Sequence, residues 1–401
     1  MKTPDTSAPV RAKLLPYGRQ TIGDDDIAAV VEVLRSDWLT TGPEVEAFEQ
    51  ALAAFTGSVH AVAVSNGTAA LHAAMHALAI GLGDEVIVPA ITFVATANAV
   101  IYCGGTPVFA DVDPATLLLD PADVARRITP RTKVIAAVDY AGQPCDYAAL
   151  RALAEQHGLK IVADACHALG ATDAGRPVGS LADLSTFSFH PVKPITTGEG
   201  GAITTNDPEL AAKMRVFRGH GITSDFRQRE KQGSWAYEMT GLGYNFRLSD
   251  IQCALGLRQL AKLPSMLARR QAIAAHYDAR LAGHPLLTPL ARRAGASHGF
   301  HLYVVQVRPG VDRGEVFRRF RAEGIGVNVH YLPVYLHPFY RERFGHQPGL
   351  CPAAEQAYAR ILSLPIFPAM TEHDVDDVIA AADKIAAALA LDSHSSLYSH
   401  D

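Results

Sequence analysis

Lys193 stands in the run Phe187-Ser188-Phe189-His190-Pro191-Val192-Lys193-Pro194-Ile195-Thr196-Thr197-Gly198-Glu199-Gly200-Gly201. A hydroxyl lies five residues before it, and a glycine-rich segment follows. The hydroxyl is placed to hold an anion, and the glycines let backbone pass close to a flat ligand. A lysine amine can form a Schiff base with an aldehyde, and pyridoxal phosphate (PLP) needs such an anchor. A lone lysine is ordinarily a solvated surface charge. This one follows the apolar stretch Leu184–Phe189, which argues against a surface role.

Other residues have types and places that suit the same chemistry. Ser65-Asn66-Gly67-Thr68-Ala69-Ala70-Leu71 joins an apolar strand to a helix. Backbone N–H groups at a helix start attract phosphate, and Gly67 lets it approach. A plain cap by Asn66 or Thr68 explains the same letters. Asp164 ends the apolar run Ile161-Val162-Ala163, where ligands of a parallel sheet bind. A carboxylate there either keeps a pyridine nitrogen protonated or caps the next helix. His167 either meets the ring oxygen of the cofactor or fills space. Phe93 is either a stacking surface for a flat ring or ordinary core. His330-Tyr331-Leu332-Pro333 belongs to a Pro/Tyr/His-rich loop suited to gripping a sugar or nucleotide. Cys166 and His167 lack further ligands at zinc spacing, so no metal is expected.

The elements that must carry these residues alternate. Apolar strand candidates are His60–Val64, Glu85–Val88, Pro107–Ala110, Lys133–Val138, Lys160–Ala163, Leu184–Phe189 and Ala202–Thr204. Helical stretches such as Thr68–Ala79 and Tyr147–His157 lie between them. Continuous apolar strands separated by helices predict an α/β fold with a mainly parallel sheet. After residue 260 the rhythm changes to a helix (Leu260–Leu281), a strand (His301–Val307), a helix (Gly314–Glu323) and a strand (Ile325–Val329), with two helices closing the chain. The division expected is a loose tail over 1–14, a large domain over 15–260, a small α+β domain over 261–391 and a polar tail over 392–401. The 401 residues are 48% hydrophobic and 19% charged, with net charge −5, and no basic stripe suggests nucleic acid. Five scattered cysteines and no apolar span suit reduced thiols in a soluble cytoplasmic protein rather than one bound to a membrane.

Phosphate turn, aromatic, acid and lysine occur in that order, each at a predicted strand end. With Trp38-Leu39-Thr40-Thr41-Gly42-Pro43, Phe93-Val94-Ala95-Thr96, Asp164-Ala165-Cys166-His167 and Tyr244-Asn245-Phe246-Arg247-Leu248, the chain resembles the DegT/DnrJ/EryC1/StrS sugar-nucleotide aminotransferases. The likeness covers roughly residues 15–390. It implies the aspartate aminotransferase architecture (fold type I) and PLP as cofactor. It implies Lys193 as the cofactor's anchor and as general acid/base, Asp164 at the pyridine nitrogen, Phe93 on the ring and His167 beside the ring oxygen. Asn66, Gly67, Thr68 and Ser188 would hold the cofactor at its phosphate end. Asn245 would reach the cofactor of a partner subunit, making the unit a homodimer. Tyr17, Trp38, Leu39, Thr40, Thr41, His330, Tyr331 and Pro333 would meet substrate.

Tyr17-Gly18-Arg19-Gln20, Val138-Asp139-Tyr140-Ala141-Gly142 and Lys193-Pro194-Ile195-Thr196-Thr197 resemble the branch serving pseudaminic acid synthesis. That branch aminates C4 of UDP-2-acetamido-2,6-dideoxy-β-L-arabino-hex-4-ulose with L-glutamate as donor. The rival readings are an aminotransferase for another nucleotide 4-ketosugar, such as a UDP-4-keto-pentose used in lipid A modification, and a PLP-free regulatory member of the fold.

Overall fold

A computed structural model describes residues 8–224, 226–231 and 233–395. Its main sheet contains β1 (His60–Val64), β2 (Glu85–Pro89), β3 (Thr106–Ala110), β4 (Thr132–Val138), β5 (Lys160–Asp164), β8 (Leu184–Ser188) and β9 (Gly201–Thr205). The short hairpin of β6 (Thr172–Asp173) and β7 (Arg176–Pro177) lies outside it. The strand order is β1-β9-β8-β5-β4-β2-β3. β9 is antiparallel to both of its neighbours and the remaining pairs are parallel. Every strand except β9 therefore points the same way. Their carboxyl ends share one edge; Asp164 ends β5 there, and the segments that leave that edge carry Asn66, Phe93 and, beyond β8, Lys193.

Burial explains the continuous apolar runs. Val62, Val64, Ile87, Val88, Ile161 and Val162 have no exposed surface, because helices cover both faces of the sheet. One of these, Gly67–Ala77, is buried along most of its length and packs against β8 and β9. Gly201 of β9 admits its first turn: a Cβ on Gly201 would lie 2.5 Å from the Asn66 carbonyl carbon.

The second sheet has three antiparallel strands, β10 (Leu287–Pro289), β11 (Tyr303–Val307) and β12 (Ile361–Leu364), in that order. The expected strand at Ile325–Val329 does not form. That stretch makes only isolated bridges, Ile325 to Leu15 and Asn328 to Ser363. The place beside β11 is taken by Ile361–Leu364, which is remote in sequence. The N-terminal segment crosses close by; a Cβ on Gly326 would lie 2.7 Å from the Leu15 carbonyl oxygen.

One helix, Asp250–Leu281, spans the division expected at residue 260. Ser249 and Gln252 close its start as a reciprocal cap. Its Leu260, Leu263, Met266 and Leu267 join the core of the main sheet, while Ile273, Ala274, Tyr277 and Leu281 join that of the small sheet. The expected loose tail is docked over residues 8–14. Arg11 pairs with Asp374 and Asp377 at 2.7 and 2.6 Å, and the Val10 N–H donates to Glu323. The final helix, Glu372–Ser395, runs past residue 392. Residues 1–7 and 396–401 of the two expected tails lie outside the described residues. Among the described residues, no helix is long and apolar enough to cross a membrane.

Candidate active site

A cavity of about 850 Å³ opens where the shared strand edge meets the 328–331 segment. Lys193, Asp164, Asn66, Gly67, Thr68, Phe93, His167, Ser188, Tyr17, His330 and Tyr331 all line it. Residues separated by more than 300 positions thus share one space.

At one end lies the start of the helix Gly67–Ala77. The Asn66 side chain caps it by accepting from the Ala69 N–H at 2.8 Å. The helix-cap reading is therefore correct for that oxygen. The N–H groups of Gly67 and Thr68 precede the helical ladder and have no partner within it. Ser188 faces them closely enough that a Cβ on Gly67 would lie 2.9 Å from Ser188 Cβ. N–H groups, a hydroxyl and a helix dipole converge there, as an anion requires.

Asp164 is buried at the end of β5. Its Oδ2 accepts from Thr96 Oγ1 at 2.6 Å, and its Oδ1 from the Cys166 N–H at 3.3 Å. Thr96 in turn lies 2.7 Å from Thr92 Oγ1. Phe93, on the same turn as Thr96, presents a half-exposed ring to the cavity 6.0 Å from that of Tyr331. Lys193 follows the β8 strand in a tight turn closed by its N–H to the His190 carbonyl. Burial holds its amine below the usual lysine range, against the opposing pull of Cys166 and Asp164. A depressed amine is what proton transfer by lysine needs.

Three histidines face the same space. His167 Nδ1 accepts from the Ala141 N–H at 3.3 Å, which places the proton on Nε2, and Nε2 lies 3.3 Å from the Tyr331 hydroxyl. His301 packs on it with ring centres 4.4 Å apart. His330 is fixed by Ser363 at 2.8 Å and by Asn328 at 3.3 Å, and the Tyr140 hydroxyl donates to its carbonyl. Burial, with the charge of Lys193 adding to it, pushes His167 and His301 well below the ordinary histidine range and His330 down to about 3. All three are neutral near pH 7.

The sequence profile of the DegT/DnrJ/EryC1/StrS aminotransferase family matches residues 20–383. The chain belongs to this family. It is similar to the Spore coat polysaccharide biosynthesis protein SpsC of Bacillus subtilis, at 45% identity over 94% of this chain and 98% of that one. Its fold matches the PMP form of a putative sugar aminotransferase, Spr1654 of Streptococcus pneumoniae, with a TM-score of 0.89 and 33% identity over 94% of this chain and all of that one. It also matches Helicobacter pylori PseC, an aminotransferase involved in the biosynthesis of pseudoaminic acid, with a TM-score of 0.88 and 34% identity over 94% and 100% of the two chains. The protein is a sugar aminotransferase of fold type I that uses PLP and takes a nucleotide sugar and an amino donor.

The family's cofactor fits the residues present. The anion cradle at Gly67, Thr68 and Ser188, the buried Asp164 carboxylate and the Lys193 amine face one cavity that a flat ring can enter. Other expected positions lie elsewhere. Trp38, Leu39, Thr40, Thr41 and Pro333 do not line this cavity within the chain. The 38–41 loop is pinned to the long helix: the Asp250 N–H donates to the Leu39 carbonyl, and Thr40 bridges Ser249. Pro333 is buried ahead of a short turn at Val334–Leu336. Asn245 is exposed and bridges Gly219, outside its own chain's cavity. Residue type and spacing alone assign no role to Thr96, Ala141 or His301. Thr96 had a visible signal, three residues after Phe93 at helical spacing. His301 had none, because only folding brings it against His167.

Proposed function

We propose that the enzyme moves the amino group of L-glutamate to C4 of UDP-2-acetamido-2,6-dideoxy-β-L-arabino-hex-4-ulose, giving the 4-amino sugar used for pseudaminic acid. The observation that carries this reading is the full-length likeness to PseC. A cavity of about 850 Å³ supports it, because it has room for a cofactor together with a sugar. We place the enzyme in the cytoplasm as a homodimer, and the five unpaired thiols support the reducing compartment.

Bound PLP supplies an electron sink and a carrier for the amino group. The side chains then divide the work. Gly67, Thr68 and Ser188 would hold its phosphate, Asp164 would meet its ring nitrogen and Phe93 its ring. His167, with its proton on Nε2, would donate to the ring oxygen. Lys193 takes a proton from the donor's Cα and delivers one to the sugar's C4. Its depressed proton affinity leaves a fraction of the amine free for the first of these steps. Tyr17, His330 and Tyr331 line the side of the cavity left for the sugar. Asn245, exposed on its own chain, would serve the partner's phosphate site, and the 38–41 loop would shape the approach for the nucleotide.

A second reading rests on the 45% identity to SpsC: the acceptor is another nucleotide 4-ketosugar, made for a surface polysaccharide. The deciding experiment offers the enzyme L-glutamate and a panel of UDP- and dTDP-linked 4-keto-hexoses and a UDP-4-keto-pentose. The measurement is 2-oxoglutarate released and amino sugar formed. Preference for the UDP-arabino-hexulose supports the first reading. Turnover confined to another member of the panel overturns it in favour of the second.

A further inference from the structure

We infer that Thr96 is a positioning residue for the reaction, the middle of a directed hydroxyl chain Thr92→Thr96→Asp164 that holds the carboxylate aimed. The inference rests on the proposed role of Asp164 at the cofactor's ring nitrogen.

The geometry sets the direction of the chain. Thr92 and Thr96 are both buried, at 2% and 0% exposure, so water does not compete for their hydroxyls. The single proton of Thr96 Oγ1 has two acceptors, Asp164 Oδ2 at 2.6 Å and the Phe93 carbonyl at 3.2 Å. The shorter bond to the charged partner prevails. Thr96 Oγ1 is then left as the acceptor, and Thr92, 2.7 Å away, donates to it. With Oδ2 engaged by Thr96 and Oδ1 by the Cys166 N–H, the carboxylate is held in one orientation, in which it would keep a ring nitrogen protonated. Thr96 also sits at the start of the helix Ala95–Tyr102, one turn past Phe93. The same residue therefore fixes the distance between the carboxylate and the aromatic ring.

The test compares Thr96→Val, which keeps shape and removes the hydroxyl, with Thr96→Ser, which keeps the hydroxyl. Asp164→Asn is the reference. For Thr96→Val, kcat is expected to fall on the order of 10- to 100-fold, the effect of one hydrogen bond to a charged group. The pH midpoint of the holoenzyme's visible absorbance band is expected to move upward. With less positive charge on the ring nitrogen, the Lys193-linked nitrogen keeps its proton to higher pH. Thr96→Ser restores both values; a purely structural role would not move the midpoint. If Asp164→Asn is impaired while Thr96→Val has parental kcat and midpoint, the hydroxyl chain is refuted and the role of Asp164 stands. If Asp164→Asn keeps parental turnover, both fall. If Thr96→Val does not fold, Thr92→Val carries the test, since losing its donor weakens the same chain. A parental midpoint in a folded Thr92→Val then overturns the inference.

Discussion

Gly67→Ala tests the anion cradle by adding one methyl group. The new Cβ would lie 2.9 Å from Ser188 Cβ, 3.3 Å from Ser188 Oγ and 3.5 Å from Cys166 Sγ. Carbon atoms pack at about 3.5 Å or more, so the helix start and Ser188 must part by about 0.6 Å. Overpacking costs about 1–3 kcal/mol, and alanine regains up to about 1 kcal/mol of helix propensity. The fold should survive. The cradle should not, because N–H groups and hydroxyl no longer converge on one anion. One hydrogen bond to a charged group contributes about 1.5–3 kcal/mol, so affinity should fall about 10- to 100-fold. The assay is calorimetric binding of pyridoxamine phosphate to the cofactor-free protein, since that ligand makes no covalent bond to Lys193. Ser188→Ala alone should weaken binding, and the double variant should lose less than the sum, because both changes act on one contact. A Kd within about twofold of the parent for Gly67→Ala refutes the cradle.

Asp164→Asn should fold and lose about 30- to 1000-fold in kcat, as the amide carries no charge to the ring nitrogen; a rate within about threefold of the parent would remove Asp164 from its role. Mixing Asn245→Ala with Lys193→Ala chains, once subunit exchange is verified with tags, should restore part of the activity, because heterodimers then contain one intact site. Verified heterodimers as inactive as their parents, with Asn245→Ala alone impaired, would place Asn245 in its own chain's site. Stability should fall as pH drops below about 6.5, where the unfolded chain protonates histidines that the fold keeps neutral. For His330 the window runs down to its value of about 3. Each such histidine contributes at most about 1.4 kcal/mol per pH unit within its window. Urea unfolding of the cofactor-free protein at pH 6.5 and 5 measures the slope, and His330→Gln should flatten it; an unchanged slope argues against a buried neutral His330.

The sequence by itself determined the class of fold and offered candidates for the chemistry. Lys193, Asp164 and the Ser65–Thr68 turn were legible because each follows an apolar run, and the end of a parallel strand is where such a fold exposes polar groups. Continuous apolar runs such as Ile161–Ala163 also disclosed a sheet covered on both faces, because burial leaves no polar face to alternate. Tertiary structure alone decided what depends on distant segments meeting. Ile361–Leu364 pairs with β11, while Ile325–Val329 makes only isolated bridges to Leu15 and Ser363, because strand pairing depends on partners that local propensity does not settle. The 8–14 segment docked through ion pairs with Asp374 and Asp377, partners more than 360 residues away. Around the cofactor site, the proton position on His167 follows from the Ala141 N–H, and the depressed histidines follow from burial beside Lys193. Neither is a property of residue type or spacing. The first needs the segments after β4 and β5 to meet, and the second needs the cavity to close around the rings.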